Sequence, residues 1–223
     1  FILNIPTPSS SAQSFGTSIH ATLRDFLKSK MEGKDLAEKD LLEMLENNWI
    51  SEGYKDKKHE ELVHKKGVRM LKDFYHQTKG SKVLPLVLEQ PFNFPLGKIK
   101  MVGRLDRVDP AMGGKIEIID YKTGASVPSQ KDVDQNLQMT IYALAATEVK
   151  EEPFGKRPEE VLLSLHFIET GEKITTTRTK EQLEKAKKEI LEIVEEIEKS
   201  DFKCSPSIFC KHCEFQLLCE AEG

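Results

Sequence analysis

The sequence has no cysteine before residue 204, no run of 18 apolar residues, no internal repeat and no low-complexity tract. The missing apolar run excludes a membrane-spanning helix, and no secretory leader pattern is present. A secreted disulfide scaffold spreads its cysteines through the chain, so their confinement to the last twenty residues excludes that class and gives an intracellular, cytoplasmic expectation. No GxxxxGK[ST] loop occurs, so these 223 residues hold no ATPase phosphate cradle of that type. An excess of positive charge is missing too. The 33 Lys and Arg against 37 Asp and Glu leave a net charge of −4, which excludes a uniformly basic nucleic-acid coat but not a local basic face.

What is present suffices for a core. Hydrophobic residues make up 38% of 223, roughly 85 side chains, enough for one large domain or two small ones. Phe1–Ile5 read as the tail of an earlier element, and the chain as a fragment of something longer.

Residues 6–13, rich in Pro and Ser, read as a loop. From Gly16 a helical stripe begins with Ile19, Leu23, Phe26 and Leu27. Residues 32–58 alternate acidic and basic around Leu41, Leu42, Leu45 and Trp49 and read as a helical insertion, which spans 30–80 with the helix that follows. That next helix carries Leu62, Val63, Met70, Leu71 and Phe74 on one side and Lys65, Lys66, Arg69 and Lys72 on the other. Residues 55–79 hold eight Lys and Arg against four Asp and Glu, a net +4. This face reads equally as solvated surface or as a nucleic-acid contact.

The period then changes to that of strands. Val83–Phe94, Ile99–Asp109 and Lys115–Tyr121 are separated by turn signals at Pro95–Gly97, Pro110 and Gly113–Gly114, and read as an antiparallel meander. A helix is expected over 131–147 on Val133, Leu137, Ile141 and Leu144. A strand over 161–168, hairpinned to 173–178, and a long amphipathic helix over 180–199 follow.

The chemistry sits at the ends of the strands. Side chains alternate along a strand, so Asp120 and Lys122 project to one side and Tyr121 to the other. An antiparallel neighbour places Asp106 beside Asp120. Two adjacent carboxylates repel unless something positive lies between them, and a hard divalent cation such as Mg²⁺ resolves that. Two carboxylates, a cation and a lysine suit metal-assisted phosphodiester hydrolysis. A surface ion pair reads from the same D-x-K residues, and the order of the other motifs carries the functional reading further.

Gly103-x-x-Asp106, thirteen residues, then Asp120-x-Lys122 resembles the PD-(D/E)XK nuclease superfamily. The closer resemblance is to its RecB-type branch, found in bacterial helicase–nucleases and CRISPR-associated exonucleases. Gly16-Thr17-Ser18-Ile19-His20 resembles that family's G-x-x-x-H helix, and Gln138-Met139-Thr140-Ile141-Tyr142 its Q-x-x-x-Y motif. Cys210-x2-Cys213-x5-Cys219 resembles its iron–sulfur knuckle. The resemblance covers about residues 15–27, 84–147 and 200–219, in the family's order. It implies an α/β fold with a restriction-endonuclease-like core: a mixed central sheet flanked by helices, with the helical insertion added, in a single nuclease domain over 1–223.

The resemblance further implies that Asp106 and Asp120 ligate Mg²⁺ or Mn²⁺ together with His20 and the Tyr121 backbone carbonyl, and that Lys122 is the catalytic lysine. Glu89 stands where the family often has an acidic residue on the first core strand. Gln138 and Tyr142, four apart on one helix face, would support the site. A [4Fe–4S] cluster needs four thiolates. The family's first Cys lies upstream of the segment beginning at Phe1, with Cys210, Cys213 and Cys219 completing the set. Cys204 is an extra or a substitute ligand, and Zn²⁺ held by Cys204, Cys210, Cys213 and Cys219 or His212 is the alternative. The activity implied is a Mg²⁺-dependent DNA nuclease acting on single strands or duplex ends. It would be attached to a helicase of the UvrD/REP type in prokaryotic DNA repair and associated with the nucleoid. A non-catalytic DNA-binding module that keeps the fold is a competing expectation, disfavoured by the intact Asp106, Asp120 and Lys122. So is a zinc-ribbon interaction domain, which leaves the Asp and Lys spacing without a reason.

Overall fold

The computed structural model describes residues 9–201 together with Ser207, Ile208, Cys210 and Cys213. Helix α1 runs Ser11–Met31, starting ahead of the Gly16 stripe because Ser10 caps it. The Ser10 Oγ accepts from the Gln13 N–H at 3.2 Å, and the Gln13 side chain accepts from the Ser10 N–H at 3.2 Å, a reciprocal capping box. The loop expected over 6–13 therefore ends at the cap, within the described part of that segment. Serine-rich composition reads as loop, but the same residues start a helix.

Helix α2 covers only Glu38–Asn48, so the expected helical insertion is not continuous. Residues 49–56 run outside any helix to Asp56, whose carboxylate accepts from the His59 N–H at 2.8 Å and caps α3 (Lys57–Thr78). Gly53 has φ +83° within that link, and a Cβ there would lie 2.5 Å from the Ser9 carbonyl oxygen, so only glycine fits.

Five strands form one sheet in the order β1-β2-β3-β4-β5: Val87–Leu96, Ile99–Pro110, Ile116–Lys122, Val161–Phe167 and Lys173–Thr176. The first three pair antiparallel, as the meander reading expects, while β3 and β4 are parallel and β4 and β5 form an antiparallel hairpin. The sheet is therefore mixed. β1 begins at Val87 and not at Val83; Pro85, with no N–H to give a ladder, precedes it. The helix expected over 131–147 is broken into α4 (Gln130–Asp134) and α5 (Leu137–Glu148). At the break the buried Arg178 guanidinium donates to the Val133 and Asn136 carbonyls, each at 3.1 Å, and the Asn136 side chain caps α5. Leu137, expected on the apolar stripe, is exposed, while Met139, Tyr142 and the run Ala143–Ala146 are buried. Helix α6 spans Lys180–Lys199. Among the described residues no helix is long and apolar enough to cross a membrane.

The sheet separates two cores. On one face Phe92, Phe94, Ile116, Ile118, Leu163 and Leu165 pack with residues of α5 and α6. On the other, Ile119, Tyr121 and Ile168 pack with Ile19 and Leu23 of α1, Leu41 and Leu45 of α2, and Leu71 and Phe74 of α3. The segment 30–80 thus forms part of a covering layer and shares a core with β3. The result is the α/β architecture of the restriction-endonuclease-like fold: a mixed five-stranded sheet flanked by helices.

The Gly103 of the sequence motif has a packing reason. It pairs with Phe92 across β1 and β2, and a Cβ at 103 would lie 2.4 Å from the Phe92 ring. That ring stands edge-on to Tyr142 at 6.3 Å, so the motif glycine seats a side chain that supports the site.

His166 on β4 packs among the Phe74 and Tyr121 rings. Burial, then the nearby Lys173 and Arg107, push its pKa down to about 4, with Glu117 opposing. The unfolded chain therefore binds a proton that the folded chain refuses between about 6.5 and about 4. Stability from this group is complete above the upper value and is lost as pH falls toward the lower, on the order of 3 kcal/mol at most. In urea unfolding at pH 7 and pH 4.5 in EDTA, His166→Leu is expected to lose less stability on acidification than the parent protein. An equal loss in both would remove His166 as the cause.

Candidate active site

The pairs Arg107–Ile119 and Val108–Ile118 set the register of β2 on β3, and one step further along it Asp106 stands opposite Asp120. Asp106 Oδ2 accepts from the Tyr121 N–H at 2.8 Å. Helix α1 brings His20 from the other side: its Nε2 donates to the Tyr121 carbonyl at 3.1 Å and its Nδ1 lies 3.4 Å from Asp106 Oδ2. The backbone N–H and the backbone carbonyl of Tyr121 are thereby both engaged by site residues.

Glu89 joins them through an irregularity in β1. Val87 and Phe92, five apart, both belong to the α5–α6 core, as do Val108 and Leu105 on β2, three apart. Odd spacings face opposite ways in a regular strand, so the alternation slips between them. Glu89 lies at that slip with φ +47°, the one non-glycine residue with positive φ among the described residues. The flanking pairs Leu88–Arg107 and Gln90–Leu105 leave it opposite Asp106. Donor atoms of His20, Glu89 and Asp106 all lie within 4.8 Å of one another, a spacing that would hold a metal ion.

Asp120 is held differently. Its Oδ1 accepts from Gln138 Nε2 at 2.9 Å and from the Tyr142 hydroxyl at 3.1 Å. Gln138 also donates to the Tyr142 oxygen at 2.8 Å and accepts from Lys122 Nζ at 2.9 Å. Lys122 Nζ lies 2.7 Å from the other carboxylate oxygen, Asp120 Oδ2, in an ion pair. The two motif residues on α5 therefore knit the lysine to the carboxylate. The structure brings His20, Glu89 and Asp106 into one cluster of donor atoms. Asp120, Lys122, Gln138 and Tyr142 form a second network beside it, joined to the first through Tyr121.

The charges are mutually dependent. Burial opposes a charged His20, but Asp106, Asp120 and Glu89 outweigh it and raise its pKa above the usual imidazole value. Burial raises the Asp120 carboxyl, with Lys122 pulling it back and Asp106 adding to the rise. Glu89 is raised by burial and by Asp106. Three crowded carboxylates and an imidazole make a donor set that fits a hard divalent cation such as Mg²⁺ or Mn²⁺.

Beneath the site lies a pair that the sequence reading did not single out. Arg107 Nε and Nη2 donate to the two Asp109 oxygens at 2.6 Å each, and Nη1 donates to the Tyr121 hydroxyl at 3.1 Å. All three residues are buried. The signal was legible as two charges at alternate positions of a core strand, on the face opposite Asp106.

Of the basic residues in 55–79, Lys57 pairs with Glu60, Lys66 and Arg69 with Glu169, and Lys72 with Glu38. That part of the face is an ion-paired surface. Of the cysteine cluster, Cys210 and Cys213 are free thiols in a turn where the Ser207 N–H donates to Cys210 Sγ at 3.2 Å. Cys204, Cys219 and His212 lie outside the described residues, so the cluster expectation is not addressed by this geometry.

The model of the PD-(D/E)XK nuclease superfamily matches residues 1–220. No curated protein matches the chain. Two of the solved structures that the chain resembles serve as examples. One is the crystal structure of SSO0001, at 14% identity and a TM-score of 0.41, covering 93% of this chain and 84% of that one. The other is a candidate exonuclease from Eubacterium rectale, at 9% identity and a TM-score of 0.49, covering 95% of this chain and 77% of that one.

The strained Glu89 backbone makes an unusual ordering of variants. Alanine is normally better than glycine in a strand by about 0.5–1 kcal/mol, but a left-handed φ costs an L-residue about 1–2 kcal/mol. Glu89→Gly is therefore expected to be at least as stable as Glu89→Ala in denaturant unfolding. A clear advantage for alanine would show that position 89 is not held at positive φ.

Proposed function

The chain belongs to the PD-(D/E)XK nuclease superfamily, and on that premise we propose that it is a Mg²⁺- or Mn²⁺-dependent deoxyribonuclease. The observation that carries this reading is the convergence of His20, Glu89 and Asp106 donor atoms within 4.8 Å, next to Asp120 and Lys122. Asp106, Glu89, Asp120, His20 and the Tyr121 carbonyl are the groups that would hold the cation. A divalent cation supplies positive charge for the scissile phosphate and acidifies a water.

The chain's own residues do the rest. Lys122 presents an ammonium where negative charge develops on the phosphate. Gln138 fixes that ammonium by accepting from it and fixes Asp120 by donating to it. Tyr142 stays protonated, because burial and the Asp120 charge raise its pKa, and so remains a donor to Asp120. The Arg107–Asp109 pair holds the Tyr121 ring, and with it the peptide that Asp106 and His20 grip.

The finer reading is an exonuclease acting on single strands or duplex ends, working with a helicase in DNA repair at the nucleoid. Its Cys210, Cys213 and Cys219 would join an upstream cysteine in a [4Fe–4S] cluster. This part rests on the order of the sequence motifs.

End-labelled single- and double-stranded DNA incubated with Mg²⁺ or Mn²⁺ is expected to be degraded, with the activity lost in EDTA and in Asp120→Ala, which still binds DNA. Cleavage surviving in clean Asp120→Ala protein would move the site elsewhere. A folded, metal-replete protein that binds but never cuts would instead support the non-catalytic module. For the cysteines, iron and sulfide content with a brown absorbance is the expected result on protein that includes the upstream segment; colourless protein with stoichiometric zinc would replace the cluster by Zn²⁺.

A further inference from the structure

Beside the metal donors runs an open groove of ≈ 470 Å³. One wall is the outer face of α1, where Gly16, Thr17 and Ala21 keep the surface low; the other is formed by Glu89 of β1 and Arg104 of β2. His20 and Glu89 stand in the groove itself, and two guanidinium groups, Arg24 and Arg104, stand along it.

We propose that this groove is the seat of a single DNA strand, with Arg24 and Arg104 holding phosphates on either side of the metal donors. This deepens the nuclease reading above and rests on it. Arg24 is pre-set for the task. Its Nε and Nη2 both lie 2.8 Å from Asp25 Oδ1, and Asp25 Oδ2 accepts from Asn48 Nδ2 at 2.9 Å, so α2 braces the guanidinium from behind and leaves Nη1 to meet a phosphate. Its side chain is still 40% exposed. Arg104 Nη1 lies 3.6 Å from Glu89 Oε2, with 62% of its side chain exposed. Its only ion pair among the described residues is thus with a metal-donor carboxylate. A planar fork with free N–H groups is the side chain best matched to phosphate oxygens. Both guanidinium groups line the one groove, a path for one sugar–phosphate backbone. Small residues on α1 let a sugar–phosphate backbone approach the helix closely.

The test is fluorescence anisotropy of a labelled single-stranded oligonucleotide with Mg²⁺ present, in a Lys122→Ala background, with strand integrity checked on a gel. Arg24→Ala and Arg104→Ala are each expected to weaken binding by about three- to tenfold and to lower the slope of log affinity against log salt by about one. Arg24→Lys and Arg104→Lys should restore the slope but only part of the affinity, because a point charge replaces the fork. Lys188→Ala, on the exposed face of α6, should change neither. A blunt duplex of the same sequence should bind more weakly than the strand. Unchanged affinity and slope in both alanine variants, with unfolding midpoints like the parent, would overturn the proposal. So would duplex binding equal to or tighter than the strand, or no strand binding at all. Cleavage by the unmodified protein is scored separately. Arginine-dependent strand binding without any cleavage would leave the groove standing and sink the nuclease reading; cleavage with arginine-independent binding would do the reverse.

Discussion

Three carboxylates brought together across β1, β2 and β3 repel one another, and most of the polar structure around Glu89, Asp106 and Asp120 answers that repulsion. Asp106 takes a backbone N–H and faces the His20 imidazole. Asp120 takes an amide and a phenol and lies against the Lys122 ammonium. Glu89 faces Arg104. Each carboxylate has its own basic neighbour, and even so burial and crowding raise the pKa values of Glu89 and Asp120. Burying one member of such a set without its partner would cost several kcal/mol. The arrangement is therefore held by the surrounding packing.

That packing comes from both faces of the sheet at once. The α1–α3 layer fixes the side from which His20 arrives. Ser18, two residues before it, accepts the Ile50 N–H on its hydroxyl at 3.0 Å, and Thr22, two residues after, returns its hydroxyl to the Ser18 carbonyl at 2.7 Å. The link from α2 to α3 is thus tied to the turn of α1 that carries the imidazole. From the opposite face α5 delivers Gln138 and Tyr142 to Asp120, and Phe92, seated over Gly103, backs Tyr142. Tyr121 joins the two sides. Its ring lies in the α1–α3 core and is pinned by Arg107, while its peptide faces the carboxylates.

Much of this was legible in the chain because it follows from short periods. Strand alternation alone separates Asp120 and Lys122 from Tyr121, and a spacing of four alone places Gln138 and Tyr142 on one helix face. What was not legible depends on long-range partners or on backbone angles. Asn136, a cap-forming residue, is the one local sign of the helix break; the break is completed by Arg178, 42 and more residues away along the chain. Ser9–Ser11 carry loop composition, and only the geometry of Ser10 and Gln13 turns them into a cap. Glu89 reads as an ordinary strand residue, yet a positive φ swings the phase of β1 and brings its carboxylate to Asp106. The basic face of α3 looked uniform in sequence; its partners Glu38 and Glu169 come from elsewhere in the chain.

The strain at Glu89 and the ion pairs of the site bear on each other. A left-handed glutamate in a strand is retained only where the surrounding structure over-determines it, at a cost of about 1–3 kcal/mol. Here the flanking pairs on both sides fix β1 against β2, so the backbone cannot relax by sliding, since a shift of one residue would turn Phe92 and Phe94 out of their core. The same slip that strains Glu89 is what lets β1 contribute a carboxylate to a site otherwise built from α1, β2, β3 and α5. Lys122 and Arg104 meanwhile hold charge opposite Asp120 and Glu89, two of the groups suited to a cation. A carboxylate shared between two positive partners holds each less tightly, so a cation held by Asp120 and Glu89 would loosen their hold on an ammonium and a guanidinium that are both partly exposed. The charges that keep the carboxylates from flying apart are thus the ones best placed to meet a phosphate.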